Sequence, residues 1–389
     1  MQFSKFNELD NRDWITLFVS GDFCPAKGAE SQLLQKNSAN TVLGDLYKII
    51  QNSDISITNL ECPLTHCDTE TEKIGPNLKA NPKIASFLKS AGFNIVTLAN
   101  NHIYDYGQQG LLETLDTLKQ YGLSYAGAGL DLKQAQKTAF IEIRNIKLAI
   151  VNVAEIEFSC ANSEHGGANP MYLIDNIYQI KDARNKADHV LLVVHGGHEY
   201  YQYPSPDTMK RYRFYAEAGA SVVIAHHTHC IGGFETYKKV PIFYSLGNFF
   251  FPPLKKNVPC CWYEGYAIHL KLTKDNLAFE ILPYEQCKDS TLSLDINRRE
   301  EILKKIEDIN HVISDDKLIA QNWIEFVYTR KLDYLVRISG FGRYKTAILR
   351  RLGLIEYFYR KSQLNTVRQM IRCEAHKEAA LDILSDYLK

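Results

Sequence analysis

The chain has 389 residues, 45% of them hydrophobic and 23% charged, and its 45 basic and 45 acidic side chains cancel. That is long for one domain and comfortable for two, with apolar residues enough for a large core, which excludes a disordered or fibrous chain. The charge is uneven: residues 330–372 hold eleven Lys/Arg and two Asp/Glu, so a basic segment follows a mildly acidic body.

Read in chain order, short β-branched runs alternate with segments of helical period. "WITLFVSGD" (14–22) predicts a strand stopping at Gly-Asp, and "SQLLQKNSANTVLGDLYKIIQ" (31–51) a helix. "DISITNLECP" (54–63) is a strand stopping at Glu-Cys-Pro, and "NPKIASFLKSAG" (81–92) a helix with Pro near its start and Gly at its end. "FNIVTLANNH" (93–102) is a strand, followed by a helix over "GQQGLLETLDTLKQYG" (107–122). "FIEIRNIKLAIVNV" (140–153) reads as a hairpin turning at Arg144 and Asn145. "HVLLVVHGGHE" (189–199) is a strand stopping at His-Gly-Gly-His-Glu, "PSPDTMKRYRFYAEAGA" (204–220) a helix, "SVVIAHHTH" (221–229) a strand stopping at its histidines, and "VPIFYSLGNFFF" (240–251) a strand stopping at Gly-Asn. "GYAIHLKLTKDNLAFEILPY" (265–284) is a second hairpin, turning over Lys274, Asp275 and Asn276. Beyond 288 only amphipathic helices follow: "INRREEILKKIEDINHVIS", "LIAQNWIEFVYTRKLDYLVRI", "YKTAILRRLGLIEYFYRK" and "LNTVRQMIRCEAHKEAALDILSDYL". The expectation is an α/β layered domain over 1–288 and an all-α, partly basic extension over 289–389.

Several strands deliver a metal-binding side chain at their C-terminal end, where open α/β sheets build sites. Asp22, Glu61, Asn101, His195, His227 and His229 are such residues. A mixed carboxylate, amide and imidazole set suits Mn, Fe or Zn, and six ligands are too many for one tetrahedral ion with an open position. They fit two divalent ions sharing a carboxylate, the usual device for hydrolysing phosphoesters. Strand alternation would put His227 and His229 on one face and His226 on the other, as a core or supporting histidine.

"GD", "NLECPLT", "LANNHIYDYGQQGLLETLDTL", "YAGAG", "HGGHEY", the histidine cluster and "VPIFYSLGNFFF" follow one another as in the CapA family, which is named after capsule and poly-γ-glutamate synthesis proteins. The resemblance covers about residues 16 to 252, and the family looks like a branch of the calcineurin-like metallophosphoesterases, whose fold is a β-sandwich flanked by helices. It implies a role for each position. Asp22 and His229 would serve the first metal; Asn101, His195 and His227 the second; Glu61 would bridge. His102 would be the uncoordinated histidine that stabilises the transition state or protonates the leaving oxygen. Glu199 and Tyr200 occupy the place of a Glu-Tyr pair, and with His198, Asn59 and Asn248 they are the expected substrate contacts. The sequence departs from the family's pattern in having Cys24, a possible thiol ligand, where an apolar residue is usual, Gly196 in place of a Trp, and Ala225 before the histidines.

Nine cysteines, odd and scattered, fit reduced thiols better than a disulfide framework. The start "MQFSKFNELDNRDW" has no apolar stretch or cleavage site of a signal peptide, and no apolar run approaches the roughly 18 residues needed to cross a bilayer. The expected location is the cytoplasm, with peripheral contact at the inner membrane face as the alternative. Cys24, Cys62 and Cys230 beside the proposed ligands read as small buried residues, with Cys24 as a ligand the sharper alternative. Tyr200, Tyr201 and Tyr203 read as packing residues or as a stacking wall for a sugar or an acyl substrate. The basic helices read as a solvated face or as a contact for an anionic membrane surface or a capsule-synthesis complex. No nucleic-acid partner is expected, because no binding motif accompanies the charge. The activity expected from the family is phosphoester hydrolysis on a capsule or cell-surface saccharide precursor. Amide chemistry on poly-γ-glutamate, or a non-enzymatic assembly role, are the alternatives.

Overall fold

The computed structural model describes residues 14–26, 28–35, 38–254, 257–287, 292–293, 295–339, 343–354, 357 and 361–387. The start of the chain and part of "GLIEYFYRK" lie outside these. The chain forms two compact units, residues 1–320 and 321–389.

The first unit is layered around two sheets. In spatial order the larger sheet runs β16 (Leu292–Ser293), β15 (Leu277–Gln286), β14 (Glu264–Leu272), β1 (Ile15–Phe23), β2 (Ile55–Leu60), β3 (Ile95–Thr97) and β4 (Ser124–Ala126), and β13 (Asn248–Phe250) also pairs with β1. The second runs β11 (Phe234–Tyr237), β12 (Val240–Phe243), β10 (Val222–His226), β9 (His189–His195), β7 (Ile146–Ala154) and β6 (Ala139–Ile143). A small ribbon pairs β5 (Ala128–Gly129) with β8 (Gly167–Ala168). β1, β2, β3 and β4 are mutually parallel, as are β7, β9, β10 and β12. Parallel strands covered on both faces need apolar side chains at successive positions, which is why these runs are nearly continuous rather than alternating. On β1, Leu17 and Val19 enter the core shared with β7, β9 and β10, while Phe18 and Phe23 enter a second core under the helices.

Those helices are α2 (Ser38–Leu43), α3 (Leu46–Asn52), α4 (Ile84–Ala91) and α5 (Gly107–Gln120), with short α1 (Glu30–Leu33), while α6 (Leu132–Ala135) packs on the β5–β8 ribbon. On the second sheet lie α7 (Leu173–Lys186) and α8 (Pro206–Ala218). The single helix expected over 31–51 is three short ones, with Gly44 at φ 53° separating α2 from α3. α7 was not anticipated: within it only Asn176, Ile180 and Ala183 are buried, too sparse a stripe to stand out from sequence.

Two expectations change. "VPIFYSLGNFFF" does break at Gly247 (φ 72°), but β12 already stops at Phe243 in the second sheet, and the residues after the break form β13 in the first. The helical region expected from 289 also divides. α9 (Ile296–Ile313) buries Ile302, Ile306, Ile309 and Ile313 in the inter-sheet core, and Asn310 Oδ1 accepts from Phe234 N at 2.6 Å, so this helix belongs to the first unit. α10 (Asp316–Ser339) runs from the first unit into the second, which also holds α11 (Arg343–Arg351), α12 (Lys361–Arg372) and α13 (Glu374–Tyr387). The layered α/β body and the helical C-terminal region are otherwise as expected, and both hairpins turn at the expected residues. Among the described residues no helix is long and apolar enough to cross a membrane.

β1 and β13 approach closely at Gly21, where an added Cβ would lie 2.0 Å from Gly247 O. Gly21→Ala is expected to cost about 3 kcal/mol or more, read as a lowered urea midpoint, because backbone on both sides leaves nothing soft to yield.

Candidate metal centre

The ligand-bearing strand ends come from both sheets rather than one. Asp22 is the penultimate residue of β1, Glu61 follows β2, and Asn101 follows β3; β9 ends at His195 and β10 at His226. The site therefore lies between the C-terminal edges of two parallel strand sets. Asp22, Glu61 and His195 are almost completely buried, as are the three histidines of the cluster.

Strand alternation does not explain that cluster. β10 stops at His226, and His227 and His229 take left-handed backbone, with φ of 94° and 54°. Non-glycine residues enter that region at a cost met by the surrounding contacts. Here His227 N donates to Asp22 Oδ2 at 3.1 Å, Tyr200 N donates to Thr228 O at 2.8 Å, and Thr228 Oγ1 donates to Cys230 O at 3.1 Å. The turn, not the pleat, delivers His227 and His229. Nor does His226 face away: its Nδ1, buried and without a hydrogen-bond partner, lies 3.5 Å from Asp22 Oδ1.

Two triads result, Asp22–Glu61–His229 and Glu61–His195–His227, each with ligand atoms within 4.8 Å of one another. Glu61 belongs to both. Its Oε1 is 3.6 Å from His195 Nε2 and 3.7 Å from His229 Nε2, and Asn101 Oδ1 is 3.0 Å from His195 Nε2. His195 Nε2 and His227 Nδ1 are 3.1 Å apart. Neither triad contains a thiol. Cys24 contacts Cys62 and Cys230 contacts Cys261, and burial holds Cys24 well above the ordinary thiol range.

Asn59 and Asn248, expected to meet substrate, lie buried behind the ligands. Asn59 Nδ2 donates to Asp22 Oδ1 at 2.7 Å and is 3.3 Å from His195 Nδ1. Asn248 Oδ1 accepts from His229 Nδ1 at 3.0 Å, turning Nε2 toward Glu61, while its Nδ2 donates to Trp262 O. Such partners fix ring orientation and tautomer. His198, Glu199 and Tyr200 sit on the loop after β9, with Glu199 exposed and its charge felt at Glu61 and His227. The Tyr200 ring lies 6.1 Å from that of Trp262, which lies 4.8 Å from that of His229.

His102 is nearly buried, with Nδ1 2.6 Å from Asp105 Oδ2. Asp105 also accepts from Leu78 N at 2.7 Å and pairs with the buried Lys73, whose Nζ lies 3.2 Å from His102 Nδ1. Sequence reasoning missed Asp105 and Lys73. The i,i+3 spacing in "HIYD" could have found Asp105; nothing local marks Lys73.

Burial pushes the Asp22 carboxyl up to about 7, and burial together with Asp22 raises Glu61. Burial lowers His195, brings His226 and His227 to about 3 and brings His229 to about 4. The imidazoles are thus neutral, as metal ligands must be. Both Glu61 oxygens are buried with no hydrogen-bond partner. A carboxylate left so requires a proton or a cation. The donor set is compatible with metal binding, with Asp22, Glu61 and His229 in one cluster and Glu61, His195 and His227, beside Asn101, in the other.

The model of the family described as bacterial capsule synthesis protein PGA_cap matches residues 16–253. The chain belongs to this family. It is 30% identical over 246 residues to the capsule biosynthesis protein CapA of Bacillus anthracis, covering 61% of this chain and 60% of that protein. It is 30% identical over 251 residues to the PGA biosynthesis protein CapA of Bacillus subtilis (strain 168), covering 61% of this chain and 64% of that protein. The matches thus span less than two thirds of either relative. A solved 5'-nucleotidase from Candida albicans SC5314 overlays with a TM-score of 0.42 at 13% identity, covering 84% of this chain and 60% of that one. The PGA_cap match begins inside β1 and ends just past β13, so it encloses every proposed ligand.

In the metal-free protein Asp22 is raised from 3.8 to about 7, so its contribution to stability is full below about pH 4 and is lost as pH rises through 7. The histidines contribute oppositely: their stability is present above about 6.5 and is lost as pH falls toward 3 to 4. A bound cation reverses the Asp22 penalty, so the rise in Tm on adding Mn²⁺ is expected to be small at pH 5 and to grow up to pH 8. In chelator, Glu61→Gln is expected to raise Tm relative to wild type at pH 8 and to abolish the Mn²⁺-dependent rise, both read by calorimetry.

Proposed function

We propose that this PGA_cap member is a two-metal hydrolase, acting as a phosphoesterase on a capsule or cell-surface saccharide precursor or a related metabolite. One observation carries the reading: two ligand triads share a buried carboxylate that has no hydrogen-bond partner of its own. When bound, a pair of Mn, Fe or Zn ions supplies Lewis acidity toward a phosphoryl oxygen. The chain's residues supply the rest. Asp105 engages Nδ1 of His102, leaving Nε2 as the nitrogen that stabilises the charged phosphoryl group or protonates the departing oxygen. Asn59 and Asn248 hold Asp22, His195 and His229 in place. Tyr200, half-buried on the loop after β9, offers an aromatic face suited to a sugar ring, and the buried Trp262 ring lies beneath it.

The second reading keeps the site and changes the bond. One relative is named for PGA biosynthesis, which favours cleavage or transfer at an amide of poly-γ-glutamate, or a non-enzymatic part in its assembly. Purified protein loaded with Mn²⁺ is expected to hold close to two ions per chain and to hydrolyse an aryl phosphate. His102→Ala is expected to lower kcat by about 10²–10⁴-fold with metal content unchanged. Release of glutamate from poly-γ-glutamate with no phosphatase activity under Mn, Fe or Zn decides for the amide. Polymer assembly that survives Asp22→Ala in a folded protein decides for the assembly role.

A further inference from the structure

The second unit, 321–389, has no buried residue among those whose burial is described. Ile348 is 59% exposed, Leu352 61% and Ile371 61%, and on α13 Leu381, Ile383 and Leu384 are equally open. Helices of 9, 12 and 14 residues are marginal in water unless an apolar face is covered. α12 packs against α13, but that contact leaves these side chains in solvent.

Charge and apolar surface share the same elements. On α12, Leu364, Val367 and Ile371 fall at i, i+3 and i+7 on one face, and Lys361, Arg368 and Arg372 line its edge. Near the C-terminal end of α11, Ile348 and Leu352 are four residues apart, beside Lys345 and Arg351. Asp333, one of only two acidic residues in 330–372, is taken up by Arg330 at 3.9 Å and by Arg350. Exposed Lys345, Arg351, Lys361, Arg368 and Arg372 therefore carry a net positive surface. A second copy of this face is disfavoured, because both surfaces carry the same sign. A soluble polyanion accounts for the arginines and leaves the isoleucines and leucines in water. An anionic bilayer surface satisfies both.

We propose that residues 321–389 bind peripherally to an anionic phospholipid surface, α11 and α12 lying in its plane with Ile348, Leu352 and Ile371 at the acyl boundary and the basic residues at the phosphates. The test is independent of any hydrolytic activity. The full chain is floated with vesicles of phosphatidylcholine alone, and of phosphatidylcholine with phosphatidylglycerol. It is expected to bind only the second, more weakly as salt rises. Arg351→Glu with Arg368→Glu and Arg372→Glu, and separately Ile348→Ser with Leu352→Ser and Ile371→Ser, are each expected to weaken binding at least tenfold with Tm unchanged. Should a variant fail to fold, the lipid and salt dependence of the wild type decides alone. Failure to bind either vesicle overturns the proposal. So does capture by soluble poly-γ-glutamate that is insensitive to the apolar substitutions and accompanies vesicle binding equally insensitive to them. A dimer in light scattering that the serine substitutions dissolve overturns it too.

Discussion

A carboxylate stripped of water and given no hydrogen bond is the constraint around which the first unit is arranged. Glu61 stands in that state, with Asp22 close enough to raise it further. Burying one such ion costs several kcal/mol even after relaxation, so its surroundings must over-determine the geometry. They do so from both sheets. β2 places Glu61, β1 places Asp22, and β9 and β10 bring imidazoles to the opposite side. The left-handed backbone at His227 and His229 is tolerated because Asp22 and Tyr200 hold the turn that contains them. The strain and the unpartnered carboxyl meet at one place, where a cation would engage the carboxyl oxygens.

Behind the ligands runs a layer of neutral amides. Asn59 touches Asp22 and His195, Asn248 touches His229, and Asn152 Oδ1 accepts from Leu98 N and Ala99 N, in the stretch that leads to Asn101. Amides can donate and accept without adding charge, so they brace the ligands and leave the electrostatic deficit at Glu61 intact. Lys73 is the exception. Its ammonium is buried against Asp105 and supports His102 instead of neutralising the carboxylate pair.

Much of this was legible because burial on both faces writes strands as plain apolar runs, and because a polar residue at the end of such a run stands out. Asp22, Glu61, His195 and the histidine cluster announce themselves in that way. What was not legible depends on contacts between distant segments. "VPIFYSLGNFFF" has uniform β propensity, and only Gly247 hints that it changes sheets. His226 was assigned outward by alternation, which holds only while the strand persists, and the strand ends at that residue. α9 resembles the helices after it, yet four isoleucines on one face tie it to the sandwich. The partner of His102 needed the loop to fold before Lys73 and Asp105 could meet.

The passage from β12 to β13 acts as a stitch through the two layers. Leu246 N bonds Ala225 O on β10, Tyr266 N bonds Leu246 O, and Gly247 bridges to Gly265. A stitched sandwich resists sliding of one layer over the other. The spacing between the two ligand triads is thereby inherited from the main chain.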